Sequence, residues 1–236
     1  MDAIVLARDS YREYDQIISL YTKQQGAVRL VAKGIKKITS KNSATLQPGS
    51  IVDLGIAPGK EYDYVTSVSS ILPSISLRTH PQKQIYVSFF CSTLARLVPE
   101  GIADDGLYEC IQQHLQNWEE AKDIPYFLLD DALLQVSEYL GFRPFFSEDI
   151  RELNSPSYIY SFADGGLVSE ALHGENAHKG QYFPLSKVII EALEKQKNTV
   201  LSDTDKQRYH QFVLQFMRYS FEQPLADWQK LGKYTI

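Results

Sequence analysis

The first 80 residues consist of short apolar runs separated by turn residues. The runs are residues 3–7, 17–21, 27–34, 51–56 and 64–72. No long helical pattern interrupts them, and glycine or proline marks several of the turns. Strands at this density are typical of a small closed barrel, for which the OB-fold is the common five-stranded form. We therefore predict an N-terminal OB-fold barrel.

The third run shows the clearest alternation of apolar and polar side chains. Val28 and Leu30 alternate with Arg29, and the same period carries on to Lys33. Successive side chains of a strand point to opposite faces. We therefore predict a barrel strand over residues 28–32, with Val28 and Leu30 facing inward and the two cations on the outer face.

The pattern changes to helical spacing after residue 80. Apolar residues recur at three- and four-residue intervals, which indicates amphipathic helices that bury one face in a core. These stripes span residues 85–98, 107–118, 127–140 and 188–219. We predict an α+β, two-domain chain: an OB-fold nucleic-acid-binding domain in residues 1–80 and a mainly α-helical domain in residues 81–236. The second domain carries a small, irregular, cysteine-free insert at about 144–182, with one strand at 158–162.

Charge is distributed unevenly along the chain. Residues 1–80 hold ten Lys and Arg against seven Asp and Glu, a net charge of +3, whereas residues 81–236 hold fourteen against twenty-two, a net charge of −8. Between Asp15 and Asp53 there is no acidic residue, and the basic ones are Lys23, Arg29, Lys33, Lys36, Lys37 and Lys41. A one-signed stretch of this kind attracts phosphate chains and releases their counterions. The alternative interpretation is a solvated loop face.

Tyrosines accompany the basic stretch. Proteins that bind single strands combine a positive groove with aromatic side chains on which bases stack. The tyrosines available in this region are Tyr11, Tyr14, Tyr21, Tyr62 and Tyr64. Any one of them can instead be a packed core residue whose hydroxyl reaches water, so the prediction rests on the group.

No sequence motif indicates a catalytic or metal site. Residues 55–61 have one residue too few for a phosphate-binding loop, and Glu61 occupies the position of its Ser or Thr. Neither a G-x-S-x-G elbow nor an H-E-x-x-H helix is present. His173 and His178 have no cysteine near them, and a metal site needs more ligands. We predict a protein that is not an enzyme and has no catalytic residues.

The cysteine content is typical of a reducing compartment, and the hydropathy is typical of a soluble chain. Cys91 and Cys110 lie on separate predicted helices and are expected to be free thiols. No eighteen consecutive residues are apolar, and the N-terminus lacks a signal pattern. We expect a soluble chain that is neither exported nor membrane-bound.

Several short segments, taken in order, resemble the bacterial recombination mediator family RecO. The segments are residues 11–15 (YREYD), 20–26 (LYTKQQG), 32–37 (AKGIKK), 46–49 (LQPG), 140–144 (LGFRP), 162–167 (FADGGL) and 185–186 (LS). They are similar to the family's GE-x-D, LLTREHG, AKGARR, LQP, LLGY-x-P, F-x-x-x-x-GG and LS segments. The resemblance covers nearly the whole chain.

The resemblance implies an adaptor in DNA repair and homologous recombination, located in the cytoplasm at the nucleoid. Such a protein binds single- and double-stranded DNA, anneals complementary strands, pairs with RecR, contacts the acidic C-terminal tail of the single-strand binding protein SSB, and indirectly helps RecA filaments to displace SSB. The expected nucleic-acid contacts are Arg8, Arg12, Lys23, Arg29, Lys33, Lys36, Lys37, Lys41, Tyr14 and Tyr21. For the SSB tail, the candidate cations are Arg96, Arg143 and Arg151, and the resemblance points to Arg143, which lies in the matched LGFRP segment.

The chain departs from the family in two respects. Many members hold zinc with four cysteines around the double-glycine strand, whereas residues 145–182 contain no cysteine, so we expect no metal and no other cofactor. The helical domain is acidic here, which leaves the barrel as the main surface for DNA.

Two other function classes stay open at this stage. The basic barrel can belong to a protein-interaction module that binds the acidic tail of a partner instead of DNA. Alternatively, a hydrolase site can be assembled only in three dimensions, from carboxylates or histidines in a deep pocket.

Overall fold

The fold consists of two compact units. One comprises residues 1–125 with the segment from residue 228 onward, and the other comprises residues 126–227. The computed structural model describes residues 1–40, 42–72, 74–146, 158–168, 182–194 and 200–231. The secondary structure changes from strand to helix near residue 75, whereas the compact units divide at residue 125.

Five strands form a closed barrel in the first unit. They are β1 (Asp2–Ser10), β2 (Gln16–Thr22), β3 (Gly26–Ala32), β4 (Ile51–Ala57) and β5 (Tyr64–Leu72). Their order is β1-β2-β3-β5-β4, and β4 pairs with β1 to close the barrel. All pairs are antiparallel except β3 with β5, which meet in parallel at Val31 and Tyr64. The predicted OB-fold barrel is confirmed.

The barrel core follows from the alternation of side chains along its strands. Leu30 is buried, Val28 packs against the core from a partly buried position, and Arg29 lies exposed on the other face. Val31, which belongs to the outward set, is buried as well. The core is made of Ala3, Val5, Ile18, Leu20, Leu30, Ala32, Ile35, Leu46, Val52 and Leu54.

Within the described residues, four helices complete the first unit: α1 (Ile75–Thr79), α2 (Pro81–Leu97), α3 (Asp105–Glu120) and α7 (Trp228–Leu231). Helix α2 packs against β1. The Asp104 side chain caps α3 by accepting a hydrogen bond from Leu107 N at 2.8 Å.

The second unit combines helices with a small sheet. Its helices are α4 (Tyr126–Tyr139), α5 (Lys187–Leu193) and α6 (Asp203–Phe221), and its strands are β6 (Tyr158–Ser161), β7 (Gly166–Val168) and β8 (Tyr182–Leu185). The sheet order is β7-β6-β8. The predicted strand at 158–162 is β6. The rings of Tyr160 on β6, Phe162 just after it and Phe212 on α6 pack together. None of the described helices is long and apolar enough to cross a membrane.

Candidate nucleic-acid interface

Three loops meet at one end of the barrel, and we call them the barrel rim: residues 11–15, 33–40 and 58–64. Backbone and side-chain hydrogen bonds hold them together. Asp15 Oδ1 accepts from Gly34 N at 2.8 Å, and Lys36 N donates to the Tyr14 carbonyl at 3.0 Å. On the third loop, the Tyr11 hydroxyl donates to Glu61 Oε2 at 3.2 Å. Residues that are about 20 to 50 positions apart in sequence are therefore neighbours here.

Five cations stand exposed on the barrel rim: Arg12, Lys33, Lys36, Lys37 and Lys60. The first four lie close to a polar or aromatic group of the same rim. Lys33 Nζ lies 3.6 Å from the centre of the Tyr64 ring. The Arg12 guanidinium lies 4.9 Å from the Tyr11 ring centre, and Lys37 Nζ lies 5.5 Å from that of Tyr14. Lys36 Nζ donates to the Arg12 carbonyl at 3.0 Å. The face of an aromatic ring attracts a nearby cation. On the rim, positive charges and tyrosine rings therefore lie side by side.

The tyrosines differ in what they can offer to a base. Tyr14 is 48% exposed, and Tyr11 and Tyr62 pack edge to face with ring centres 5.8 Å apart. Tyr21, in contrast, is 1% exposed. Its burial raises the pKa of the Tyr21 hydroxyl; a hydrogen bond with the Asp104 backbone opposes this shift, and the charges of Asp104 and Asp105 add to it. A ring enclosed in this way cannot stack on a base, so Tyr21 is withdrawn from the predicted interface.

Two predicted DNA contacts on the barrel are already paired with carboxylates. Lys23 Nζ lies 3.2 Å from Glu109 Oε1, and an Arg29 guanidinium nitrogen lies 3.0 Å from Glu100 Oε1. Both pairs are partly exposed, so each is worth little in stability, but the carboxylates offset the positive charge locally. These partners are not visible from local sequence patterns, because Glu100 and Glu109 lie more than seventy residues away along the chain.

Arg8 differs from the exposed cations of the rim, because hydrogen bonds within the barrel occupy its side chain. Two guanidinium nitrogens of Arg8 donate to Gln16 Oε1 at 2.9 and 2.6 Å, and a third donates to the Ser43 carbonyl at 3.1 Å. Burial lowers the pKa of Arg8. These bonds join β1 to β2 and to the β3–β4 connection, so the Arg8 side chain stabilises the barrel. Lys41 lies outside the described residues.

In the second unit, Arg143 lies exposed between two exposed aromatic residues. Phe142 is 39% exposed and Phe145 is 66% exposed. The Phe142 ring packs edge to face on Phe221 with 4.7 Å between centres. Cation and aromatic surface are thus adjacent on the segment that follows α4.

Within the described ranges, no group of three or more His, Cys, Asp or Glu could hold a metal ion. His173 and His178 lie outside these ranges, so the absence of zinc stays a prediction.

Two family models match the chain. Residues 1–73 match the model described as recombination protein O N terminal, and residues 78–229 match recombination protein O C terminal. A DNA repair protein RecO from Alteromonas mediterranea is 30% identical over 211 residues, which cover 82% of this chain and 87% of the relative. A second, from Psychromonas ingrahamii, is 30% identical over 188 residues, covering 76% and 78%.

Proposed function

Because the chain belongs to the recombination protein O (RecO) family and acts in DNA repair and recombination, we propose that it binds single- and double-stranded DNA at the barrel rim and anneals complementary strands. The observation that supports this most directly is the clustering of Arg12, Lys33, Lys36 and Lys37 with tyrosine rings at one end of an OB-fold barrel. The loops between the first two and the last two strands are a common nucleic-acid surface of this fold.

Annealing at this surface needs charge screening and base exposure. Cations of the rim displace the counterions of two strands that otherwise repel each other. Tyrosine rings hold unpaired bases by stacking, whatever their sequence. Neither step requires a nucleophile or a metal, and accordingly we assign no catalytic residue and no cofactor.

Partners follow from the family. We propose that the protein works with RecR at the nucleoid to help load RecA onto DNA that is coated with SSB. The barrel rim would hold the DNA while a second surface recruits SSB.

The proposal is tested by the affinity of the intact protein for a labelled single strand, with an acidic peptide of equal charge as competitor. We expect the oligonucleotide to bind more tightly, because the peptide has no bases for the tyrosines to stack on. Equal affinity for the peptide would instead favour a protein-interaction module that binds an acidic partner tail.

For the SSB tail we propose the exposed surface around Arg143. The tail is acidic and ends in an aromatic residue, and Arg143 with Phe142 and Phe145 offers the complementary charge and apolar area. Arg143→Ala is expected to weaken binding of an acidic peptide ending in phenylalanine about tenfold, as for one lost charge-assisted contact. Arg96→Ala, which removes another exposed arginine, is the control. Unchanged affinity after Arg143→Ala would contradict this assignment.

A further inference from the structure

Ile38 is the most exposed large apolar side chain of the described residues. Its relative exposure is 106%, the value of a side chain with no neighbour to cover it. Ile35, three residues earlier in the same loop, is 2% exposed and belongs to the barrel core. The loop therefore places one isoleucine in the core and displays the other.

A hydrogen-bonded turn displays Ile38. Ser40 N donates to the Lys37 carbonyl at 2.9 Å, which closes a four-residue turn with Ile38 at its first corner. The base of the turn is held as well, since Lys37 N donates to the Gly34 carbonyl at 3.1 Å and Gly34 N donates to Asp15. Hydrogen bonds thus fix the turn that exposes Ile38 to solvent.

The position of Ile38 within the barrel rim distinguishes it from an ordinary exposed residue. Single apolar side chains on a surface are common and need no explanation. This one directly follows Lys36 and Lys37, and Lys37 stands over the ring of the exposed Tyr14. An apolar tip among phosphate-attracting cations is close to any DNA backbone that those cations hold.

We propose that Ile38 is a wedge that enters between adjacent base pairs of duplex DNA held at the barrel rim. Proteins that deform DNA insert apolar side chains, isoleucine among them, between base steps and partly unstack them. The side chain leaves water as it enters the stack, which offsets part of the unstacking cost. This inference rests on the proposed binding of DNA at the rim, and it adds a local duplex-opening activity to it.

The test uses the intact protein and a duplex that contains 2-aminopurine, whose fluorescence rises when its base unstacks. The wild type is expected to raise the fluorescence, and Ile38→Ala is expected to lose at least about half of that rise. Ile38→Leu, with an apolar side chain of the same size, is expected to keep it. The salt dependence of duplex binding should stay the same in both variants, because no phosphate contact changes.

Ile102→Ala is the matched control, since Ile102 is 60% exposed and lies outside the rim. It should leave the fluorescence rise unchanged. A wild type that binds the duplex without any rise, or an Ile38→Ala variant with the full rise, would overturn the wedge and leave DNA binding intact. Loss of the salt dependence in Ile38→Ala would also overturn it, since Ile38 would then support the loop instead. A wild type that binds no DNA would overturn the proposed function itself.

Discussion

At the scale of single residues, the first unit contains a lysine that is fully enclosed. Lys83 on α2 is 1% exposed, and its ammonium donates to Ser76 Oγ at 2.6 Å and to the Trp118 carbonyl at 2.8 Å. It also donates to the carbonyls of Glu119 and Ala121. These carbonyls end α3, where a positive charge is favoured by the helix dipole and by the unpaired acceptors.

Lys83→Met should therefore destabilise the protein. Methionine fills a similar volume but leaves the carbonyls at the end of α3 without a donor. The expected loss in the free energy of unfolding is about 2–3 kcal/mol, measured by denaturant titration. Lys122→Met, the same change at an exposed position close to Ala121, should stay within about 0.5 kcal/mol. Equal effects of the two variants would show that Lys83 does not serve as a cap.

A buried histidine connects elements of the second unit. His210 on α6 is 1% exposed, and its two ring nitrogens each lie 2.9 Å from a carboxylate, that of Asp130 on α4 and that of Asp227. The Tyr126 ring packs edge to face on the imidazole. Burial alone would lower the pKa of His210, but hydrogen bonds and charges from both carboxylates outweigh it, so the pKa is raised.

The raised pKa gives the stability a pH dependence with a definite sign. The folded state binds a proton on His210 more tightly than the unfolded state does, so the contribution is fully present below about pH 6.5 and is lost as the pH rises through the folded pKa. The wild type should lose part of its stability advantage over His210→Gln as the pH is raised stepwise above about 6.5. A constant difference between the wild type and His210→Gln at all these pH values would refute this interpretation.

At the scale of elements, local patterns predicted the strands and helices well. Alternation over residues 28–32 identified β3 and its inward side, and the stripe over residues 107–118 identified α3. These patterns succeed because the periods of strand and helix are written into neighbouring residues.

Local patterns could not tell which basic residues are available to DNA. Lys23, Arg29, Lys33 and Lys36 look alike in the sequence, but among the described residues distant carboxylates pair only with Lys23 and Arg29 of these four. Tyr21 could not be distinguished from Tyr14 for the same reason, since its burial depends on the tertiary fold. The sequence thus predicted the region of the candidate site, whereas the structure was needed to identify which residues of that region are available to DNA.

Glu100 and Glu109 pair with Arg29 and Lys23, and these pairs should limit the DNA-binding surface to the barrel rim. Replacing Glu100 and Glu109 with glutamine frees Arg29 and Lys23 for phosphates, each adding about −0.7 to the salt slope of single-strand binding. The plot of log affinity against log salt should steepen by about 1 to 1.5 units. Glu120→Gln with Glu222→Gln, two exposed carboxylates elsewhere, should leave the slope unchanged. If both pairs of variants give the same slope, Glu100 and Glu109 do not mask the barrel.

At the scale of the whole molecule, the first unit joins the barrel to its helices through close contacts. Gly49 has φ +83°, and a Cβ there would lie 2.4 Å from Val87 Cγ1 on α2. The connection between β3 and β4 therefore lies directly against a helix, and only glycine fits.

Gly49→Ala should destabilise the first unit for two reasons, the left-handed backbone and the overlap with Val87. The expected cost is about 2–4 kcal/mol, from about 1–2 for the conformation and the rest for overpacking. Gly101→Ala is the matched control, because Gly101 has φ +72° but nothing within 4 Å of its Cβ position. It should show the conformational cost alone in thermal or denaturant unfolding. Equal losses would contradict the close approach to α2.

The central claim is that the barrel rim binds DNA, and the salt dependence of single-strand affinity tests it most directly. With Arg12, Lys33, Lys36 and Lys37 on phosphates, the wild-type slope should be roughly −3, from about −0.7 per contact. Lys36→Ala with Lys37→Ala should flatten it by about 1 to 1.5 units for any sequence. Lys23→Ala with Arg29→Ala also removes two positive charges, but both of these side chains are paired with carboxylates. This double variant should change the slope by less than about 0.5. An unchanged slope in the Lys36 and Lys37 double variant, or an equal change in both double variants, would contradict the account.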